Sequence, residues 1–545
     1  MNSDSKFEAI PRIKNYKIPI KLEESALSEW LIHIGHFDSL ESCAQILVLL
    51  QALNKETLAF KNRIVFLVMI SDYLKHFISY LSNPCWDAAF PLSDDENAYA
   101  QVITWNYLTL GQSFFIAADS ANKKNDATFC IAMALHALGQ AQLHIAATYT
   151  VPNDGFWSLL YKIFAWAEKK ALLHLPIESA ELEGQTINSL FARSLMFQVC
   201  DTNQYAPRDI RTIFKVLGQT CHTVAIDVYP SQLEGLCILD LKSDDPPLNV
   251  KNQNKIGSDL VRYFSPVAVA NIINRDFIQS SVWSGALKSI NTTLFSRVIK
   301  TLGLTQKRQY TRKREEHNLL GVIGFQDIIG FLYKINKTPF VDLPQVNANS
   351  SEKEFGMNIE STEEERNLKH KELGTRNQQI WQPSKHITEI PIKKVSLKEI
   401  NVCDSSANGY AVTWQQDYTK TRIGDLFGII SADKRRLEIA IIRRIALNNN
   451  NNFNTDFRFG AELLGFESEI VYLSNLNKNQ PGTWAVFIPE VELLERPAAV
   501  IFDIGHFKVG DNVYIHRCGT KFLCLLLKEL HSTVAIAHLE VVIIG

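Results

Sequence analysis

The chain has almost no net charge, no paired-cysteine motif, no long hydrophobic run and no catalytic signature. Lysine and arginine total 56 against 58 aspartate and glutamate. No whole-chain field therefore draws it to a nucleic-acid polymer or an anionic membrane, and any anion site must be local. Nine cysteines are scattered from Cys43 to Cys524, with no C-x-x-C pair and no His/Cys cluster at zinc-ligand spacing. This argues against a disulfide framework or a metal site and predicts reduced core thiols. The opening Met1-Asn2-Ser3-Asp4-Ser5-Lys6 has no basic segment leading into an apolar one, and runs such as Ile64 to Ile70 are short of a membrane span. A cytoplasmic protein without membrane insertion is expected.

Catalytic patterns are missing as well. There is no G-x-x-x-x-G-K-[ST] loop, no H-E-x-x-H, no G-x-S-x-G elbow and no Rossmann glycine fingerprint. The fourteen histidines do not cluster. His136 and His144, eight residues apart on one helix, read as a polar edge beside an apolar stripe. Asp94-Asp95-Glu96 follows Ser93 and reads as a capped helix start, not a cation site. The expectation is a protein that is not an enzyme.

What is present divides the 545 residues in two. Residues 1–303 are predicted to form an all-α, repeat-like scaffold of helical hairpins. Apolar positions recur at three- and four-residue spacing over Ile46 to Leu53, Ile64 to Leu81, Tyr99 to Ile116 and Phe129 to Tyr149. Asp38 with Glu41 opens one helix, and Pro152-Asn153-Asp154-Gly155 breaks two others apart. A short extended interruption at Leu236 to Asp240 ends in the turn Asp244-Asp245-Pro246-Pro247. Residues 304–334 form a basic junction leading into a strand and a short helix. Residues 335–394, rich in Ser, Glu, Lys and Asn, read as a disordered insertion unable to offset its conformational entropy by burial. From Val395 the period shortens toward two, and closely spaced strands predict antiparallel barrel structure. Residues 395–475 are assigned to a barrel, and 476–545 to an extension or second small barrel. The fold class is α+β multidomain.

Two motifs carry chemistry. The junction contains Lys307-Arg308-Gln309-Tyr310-Thr311-Arg312, and the barrel begins with Asp404-Ser405-Ser406-Ala407-Asn408-Gly409 between two strands. Arginine forks onto phosphate oxygens, stacks on a purine, or bonds the Hoogsteen edge of guanine. A carboxylate accepts from the Watson–Crick edge of guanine, a serine hydroxyl reaches phosphate or base, and glycine lets the backbone approach closely. Each motif alone is common: a basic run before a strand is usually a solvated linker, and Asp-Ser-Ser-Ala-Asn-Gly is ordinary hairpin chemistry.

Together and in order they resemble the R-x-x-x-R and D/N-x-S-x-x-G signature of PilZ-type domains, barrel receptors for cyclic di-GMP. The matches are Arg308 with Arg312, and Asp404 with Ser406 and Gly409. Gly409-Tyr410, Ile423-Gly424-Asp425-Leu426, Ile441-Ile442-Arg443-Arg444 and Phe459-Gly460-Ala461-Glu462-Leu463-Leu464 are similar to the barrel behind them. The resemblance implies a cyclic di-GMP site at those five residues, with Arg443 and Arg444 as auxiliaries of which one faces the site on a strand. The motifs stand about ninety positions apart, farther than in the compact family. Loop-closure cost grows only logarithmically with length, so the insertion does not keep them from meeting. The implied mechanism is an arginine arm drawn onto the turn, changing the angle between helical scaffold and barrel. An unidentified protein would read the change, in motility, pilus or biofilm control. The alternative is an interaction scaffold whose barrel no longer binds nucleotide.

Overall fold

The computed structural model describes residues 20–229, 235–249, 260–279, 286–303, 313–335, 397–406, 408–414, 420–430, 437–449, 455–476, 482–492, 496–517, 519–533 and 536–544. Arg308, Arg312 and the low-complexity segment 336–394 lie outside them.

Eight helices come first: α1 (Glu24–Ile34), α2 (Ser39–Leu53), α3 (Phe60–Trp86), α4 (Asp94–Asp119), α5 (Lys124–Ala147), α6 (Phe156–Lys169), α7 (Ile187–Val199) and α8 (Pro207–Thr220). Their starts follow local chemistry. Asp38 accepts from the amides of Leu40 and Glu41, and Ser93 with Glu96 closes a reciprocal capping box. Pro207 occupies the first turn of α8, where its missing N–H costs nothing.

The helices gather around α5 instead of stacking in open series, because α5 touches α4, α6, α7 and α8. Its apolar surface runs all round, with Ala132, Ala134, Ala137 and Ala141 admitting close neighbours. At Gly111 of α4 a Cβ would meet Leu138 at 3.0 Å and the Ala134 carbonyl at 3.1 Å, so glycine sets that approach. By length and composition α3 and α5 could cross a membrane, but 83% of the most apolar stretch of α5 is buried by its protein neighbours. Of the two histidines expected at a polar edge, His144 is inside and His136 is partly exposed. His144 lies against Trp86 and Tyr107, with ring centroids 5.2 and 5.9 Å away, and His136 faces Glu181 at 3.4 Å. Helical periodicity cannot tell a polar edge from a core position on a helix buried on nearly every side. The described cysteines are all free thiols.

A three-stranded sheet follows, β1 (Cys237–Asp240), β2 (Leu248–Asn249) and β3 (Val261–Phe264), in the order β2-β1-β3. The turn predicted at Asp244 has a use. Its carboxylate accepts from the amides of Gly155 and Ser158, putting negative charge at the exposed donors of α6. Next come α9 (Val267–Ile273) and α10 (Ala286–Gly303).

The remaining elements are β4 (Lys313–Ile323), α11 (Phe325–Ile335), β5 (Lys398–Ser406), β6 (Gly409–Trp414), β7 (Leu426–Ile430), β8 (Leu437–Asn449), β9 (Thr455–Gly465), β10 (Glu469–Asn475), β11 (Thr483–Ile488), β12 (Ala499–Asp503), β13 (Asn512–Arg517), β14 (Thr520–Ser532) and β15 (Ile536–Ile543). They close into two barrels, ordered β4-β5-β6-β9-β8-β7 and β10-β11-β12-β15-β14-β13. The cut expected at residue 475 falls one strand late, since Glu469–Asn475 pairs with β11 and β13. Period-two alternation continues across the short turn at Phe466, and nothing in it says which sheet a strand joins. The second barrel fills its interior with Val471, Leu473, Val500, Phe502, Val513 and Leu526.

By contacts the chain forms two compact units. One contains the helical part with Ile400–Asp425 and Ile441–Glu462, and the other contains Leu319–Glu399, Leu426–Ala440 and Leu463–Gly545.

Candidate functional site

Asp404, Ser406 and Gly409 stand at the end of a strand hairpin, not in an open loop. In the β5/β6 ladder Val402 faces Val412, Asp404 faces Ala411, Ser405 faces Tyr410 and Ser406 faces Gly409. The register slips between Val402 and Asp404, which makes Cys403 the extra residue of a β-bulge. Val402 and Val412 are fully buried in the barrel. Simple alternation would send Asp404 inward beside Val402, and the bulge reverses it.

The β6/β9 ladder extends this outer face. Gly409 lies opposite Glu462, Ala411 opposite Gly460 and Thr413 opposite Arg458. Asp404, Ser406 and Gly409 thus share one face with Arg458, Gly460 and Glu462, and small residues form its middle. Gly409 has φ +153°, and a Cβ there would lie 2.0 Å from the carbonyl oxygen of Ala461. Ser406 Oγ donates to the Gly409 carbonyl at 3.3 Å. The glycine is therefore demanded by the close approach of two strands, independently of any ligand.

Charge on the face is paired. Arg458 Nη2 donates to Asp404 Oδ2 at 3.2 Å, and Arg443 Nε donates to Glu462 Oε2 at 2.6 Å. Arg444 Cβ lies 3.5 Å from where Gly460 would carry a side chain, and its guanidinium is engaged by Asp201 of the helical part. Of the two expected auxiliaries, Arg443 stays beside Gly409's cross-strand partner and Arg444 is turned to the helices. On α10, Arg297 stacks 4.8 Å from the Tyr205 ring and donates to the Gln204 carbonyl at 2.7 Å. Burial pulls its pKa down, while Tyr205, Asp209 and Glu462 favour its charge and Arg443 opposes it. Arg458 escaped the sequence reading, although Arg458, Gly460 and Glu462 alternate with the apolar Phe457, Phe459, Ala461 and Leu463 and so mark one face.

The helices hold this part of the barrel by several ties. Phe90 and Thr421 exchange backbone hydrogen bonds of 2.7 and 2.8 Å, and the Leu447 amide donates to the Tyr149 carbonyl at 3.1 Å. Lys420 pairs with Glu96 at 3.2 Å, and Arg422 donates to the Asp87 carbonyl at 2.9 Å. Tyr149 (φ 55°) and Asp201 (φ 53°) are two non-glycine residues in the left-handed region, and both contact β8. A cavity of about 240 Å³ lined by Lys75, Tyr107, His136 and Glu181 lies among the helices and does not include the face.

Two family models match the chain in succession. Residues 25–231 match the N-terminal domain of the cyclic-di-GMP receptor FimW, and residues 236–468 match its middle PilZ domain. The chain belongs to the FimW family of cyclic-di-GMP receptors. The N-terminal FimW match spans α1 to α8. The PilZ match begins just before the three-stranded sheet and stops one residue before β10, leaving the second barrel outside both. No curated protein and no solved structure matches the chain.

Proposed function

We propose that cyclic di-GMP binds on the outer face of the first barrel, with Asp404 accepting from a guanine edge, Ser406 reaching phosphate or base, and Gly409 allowing close approach. Arg308 and Arg312 supply the phosphate and purine contacts, and Arg443 assists. The observation that carries this reading is the bulge at Cys403, which turns Asp404 out of the core onto the face shared by Ser406 and Gly409. A second observation answers the long spacing of the motifs. The strand that begins at Lys313, one residue after Arg312, is hydrogen-bonded in the barrel to β5, which carries Asp404 and Ser406.

The protein acts as a cytoplasmic receptor without enzymatic activity. Its helical part meets an unidentified protein partner, and the output lies in motility, pilus or biofilm control. The ligand face reaches the helices through Arg443, Glu462 and Arg297. A second reading, an interaction scaffold with a silent barrel, is favoured by one observation: Asp404 and Arg443 already have salt-bridge partners.

Titration calorimetry of the full chain with cyclic di-GMP, against GTP and cyclic di-AMP, separates the two. Selective binding abolished by Arg308→Ala/Arg312→Ala is the expected result. Absence of binding at tens of micromolar, roughly −6 kcal/mol, would leave the scaffold reading in its place.

A further inference from the structure

We infer that Arg458 is a positioning residue of this face, acting through Asp404; the inference rests on the cyclic di-GMP reading above. The two side chains come from β5 and β9, with β6 between them, so their 3.2 Å contact bridges two successive strand ladders. Asp404 faces Ala411, Ala411 faces Gly460, and Arg458 stands two residues from Gly460 on the same side. Their ladder partners and neighbours on this face include Ala411, Thr413 and Gly460, small or medium-sized residues that leave room for the bridge.

The two partners differ in exposure. The Asp404 side chain is 14% exposed and that of Arg458 42%. The guanidinium therefore reaches from the solvent side to a carboxylate set into the face. A carboxylate that accepts from the N–H groups of a guanine must keep one orientation, and a guanidinium on one of its oxygens favours that. Solvent screening of so exposed an arginine leaves the pair little weight in holding the barrel together. Its effect falls on where the Asp404 oxygens point.

The test is calorimetry with cyclic di-GMP and cyclic di-AMP on the wild-type chain, Asp404→Asn, Arg458→Ala, Arg458→Lys and the double variant Asp404→Asn/Arg458→Ala. Loss of the arginine should weaken cyclic di-GMP binding about ten- to a hundredfold, the range for a charge-assisted hydrogen bond. Discrimination against cyclic di-AMP should fall with it, and lysine should restore part of the loss. The double variant should bind no more weakly than the weaker single one, because Arg458 acts only through Asp404. Additive losses would overturn the inference by making Arg458 a direct phosphate ligand, and so would Arg458→Ala binding like wild type with selectivity intact. In those two cases the cyclic di-GMP site itself stands. A wild-type chain that fails to bind cyclic di-GMP removes the site and this inference together. Equal urea midpoints for wild type and Arg458→Ala confirm that any loss is not unfolding.

Discussion

Replacing Gly409 with alanine should damage the barrel before it damages any ligand contact. The added Cβ would sit 2.0 Å from the Ala461 carbonyl oxygen, 3.0 Å from its carbon and 3.1 Å from Glu462 Cα. That oxygen contact is roughly 1 Å or more inside the ~3.3 Å at which a carbon meets a carbonyl oxygen. All three atoms are backbone, so β6 and β9 must separate to admit the methyl. Overpacking of this kind costs about 1–3 kcal/mol, and forcing a side chain into positive φ about 1 kcal/mol more. We expect Gly409→Ala to be about 2–4 kcal/mol less stable than wild type in urea titrations followed by circular dichroism. Cyclic di-GMP binding should fall in parallel, since Ser406 is paired with Gly409 and would move with it. A midpoint within 0.5 kcal/mol of wild type, taken as roughly the scatter of a surface substitution, would refute the steric reasoning. The motif's glycine is then a poor probe of ligand contact, and Asp404→Asn the cleaner one.

Three further outcomes test other parts of the structure. Gly482→Ala places a Cβ 2.2 Å from the Leu473 carbonyl and 2.7 Å from the Tyr472 ring, so it should destabilise the second barrel by about 1–3 kcal/mol in the same urea assay. It should leave cyclic di-GMP affinity unchanged, and a matching loss of binding would contradict the placement of the site. Asp201 pairs with Arg444 at side-chain exposures of 39% and 52%, so Asp201→Asn should cost less than about 1 kcal/mol. Asp201→Ala should cost about 1 kcal/mol more, because alanine tolerates φ 53° less well than asparagine; the reverse order in urea midpoints would count against the left-handed assignment. Burial, aided by Arg211, pulls the His144 pKa down to about 3 from its ordinary 6.5. The unfolded chain then binds the proton first, so the stability this residue contributes is complete above pH 6.5 and is lost as pH falls toward 3. At pH 5 the loss is about 2 kcal/mol, and His144→Leu should remove that share of the difference between urea midpoints at pH 7 and pH 5. An unchanged pH difference in the variant would show that His144 is not the group responsible.

Much of the architecture was legible because it follows from local rules. The Ser93–Glu96 capping box, the break at Gly155 and the hairpin joining β5 to β6 each depend on residues close in sequence. What escaped depends on long-range pairing. The bulge at Cys403 has no signature in composition, yet it decides which way Asp404 points. Arg458 becomes relevant only once β9 is known to lie beside β6, and Arg444 is diverted by Asp201, 243 positions earlier. The placement of β10 in the second barrel is of the same kind. His144 was misjudged because α5 is packed by α4, α6, α7 and α8 and keeps only a narrow solvent side against which to read a polar edge.

The ties between helices and barrel also bear on how binding could be read out. A change of angle between scaffold and barrel, as the sequence suggested, would have to part the backbone pair Phe90–Thr421 and the bond from Leu447 to Tyr149. Each such bond is worth about 0.5–1.5 kcal/mol net, and more if its groups are left buried without partners. A ligand shifts an equilibrium only by its difference in affinity for the two states. Asp404, Ser406 and Gly409 take no part in those bonds, so a ligand bound on their face as proposed has no evident difference in affinity with which to open them. On the proposed function, the simpler output is a new surface made by the bound ligand on the Asp404 face. On that account, substitutions at the Phe90–Thr421 bridge should change stability and leave cyclic di-GMP affinity alone. A variant there that altered affinity tenfold at unchanged fold would restore the hinge.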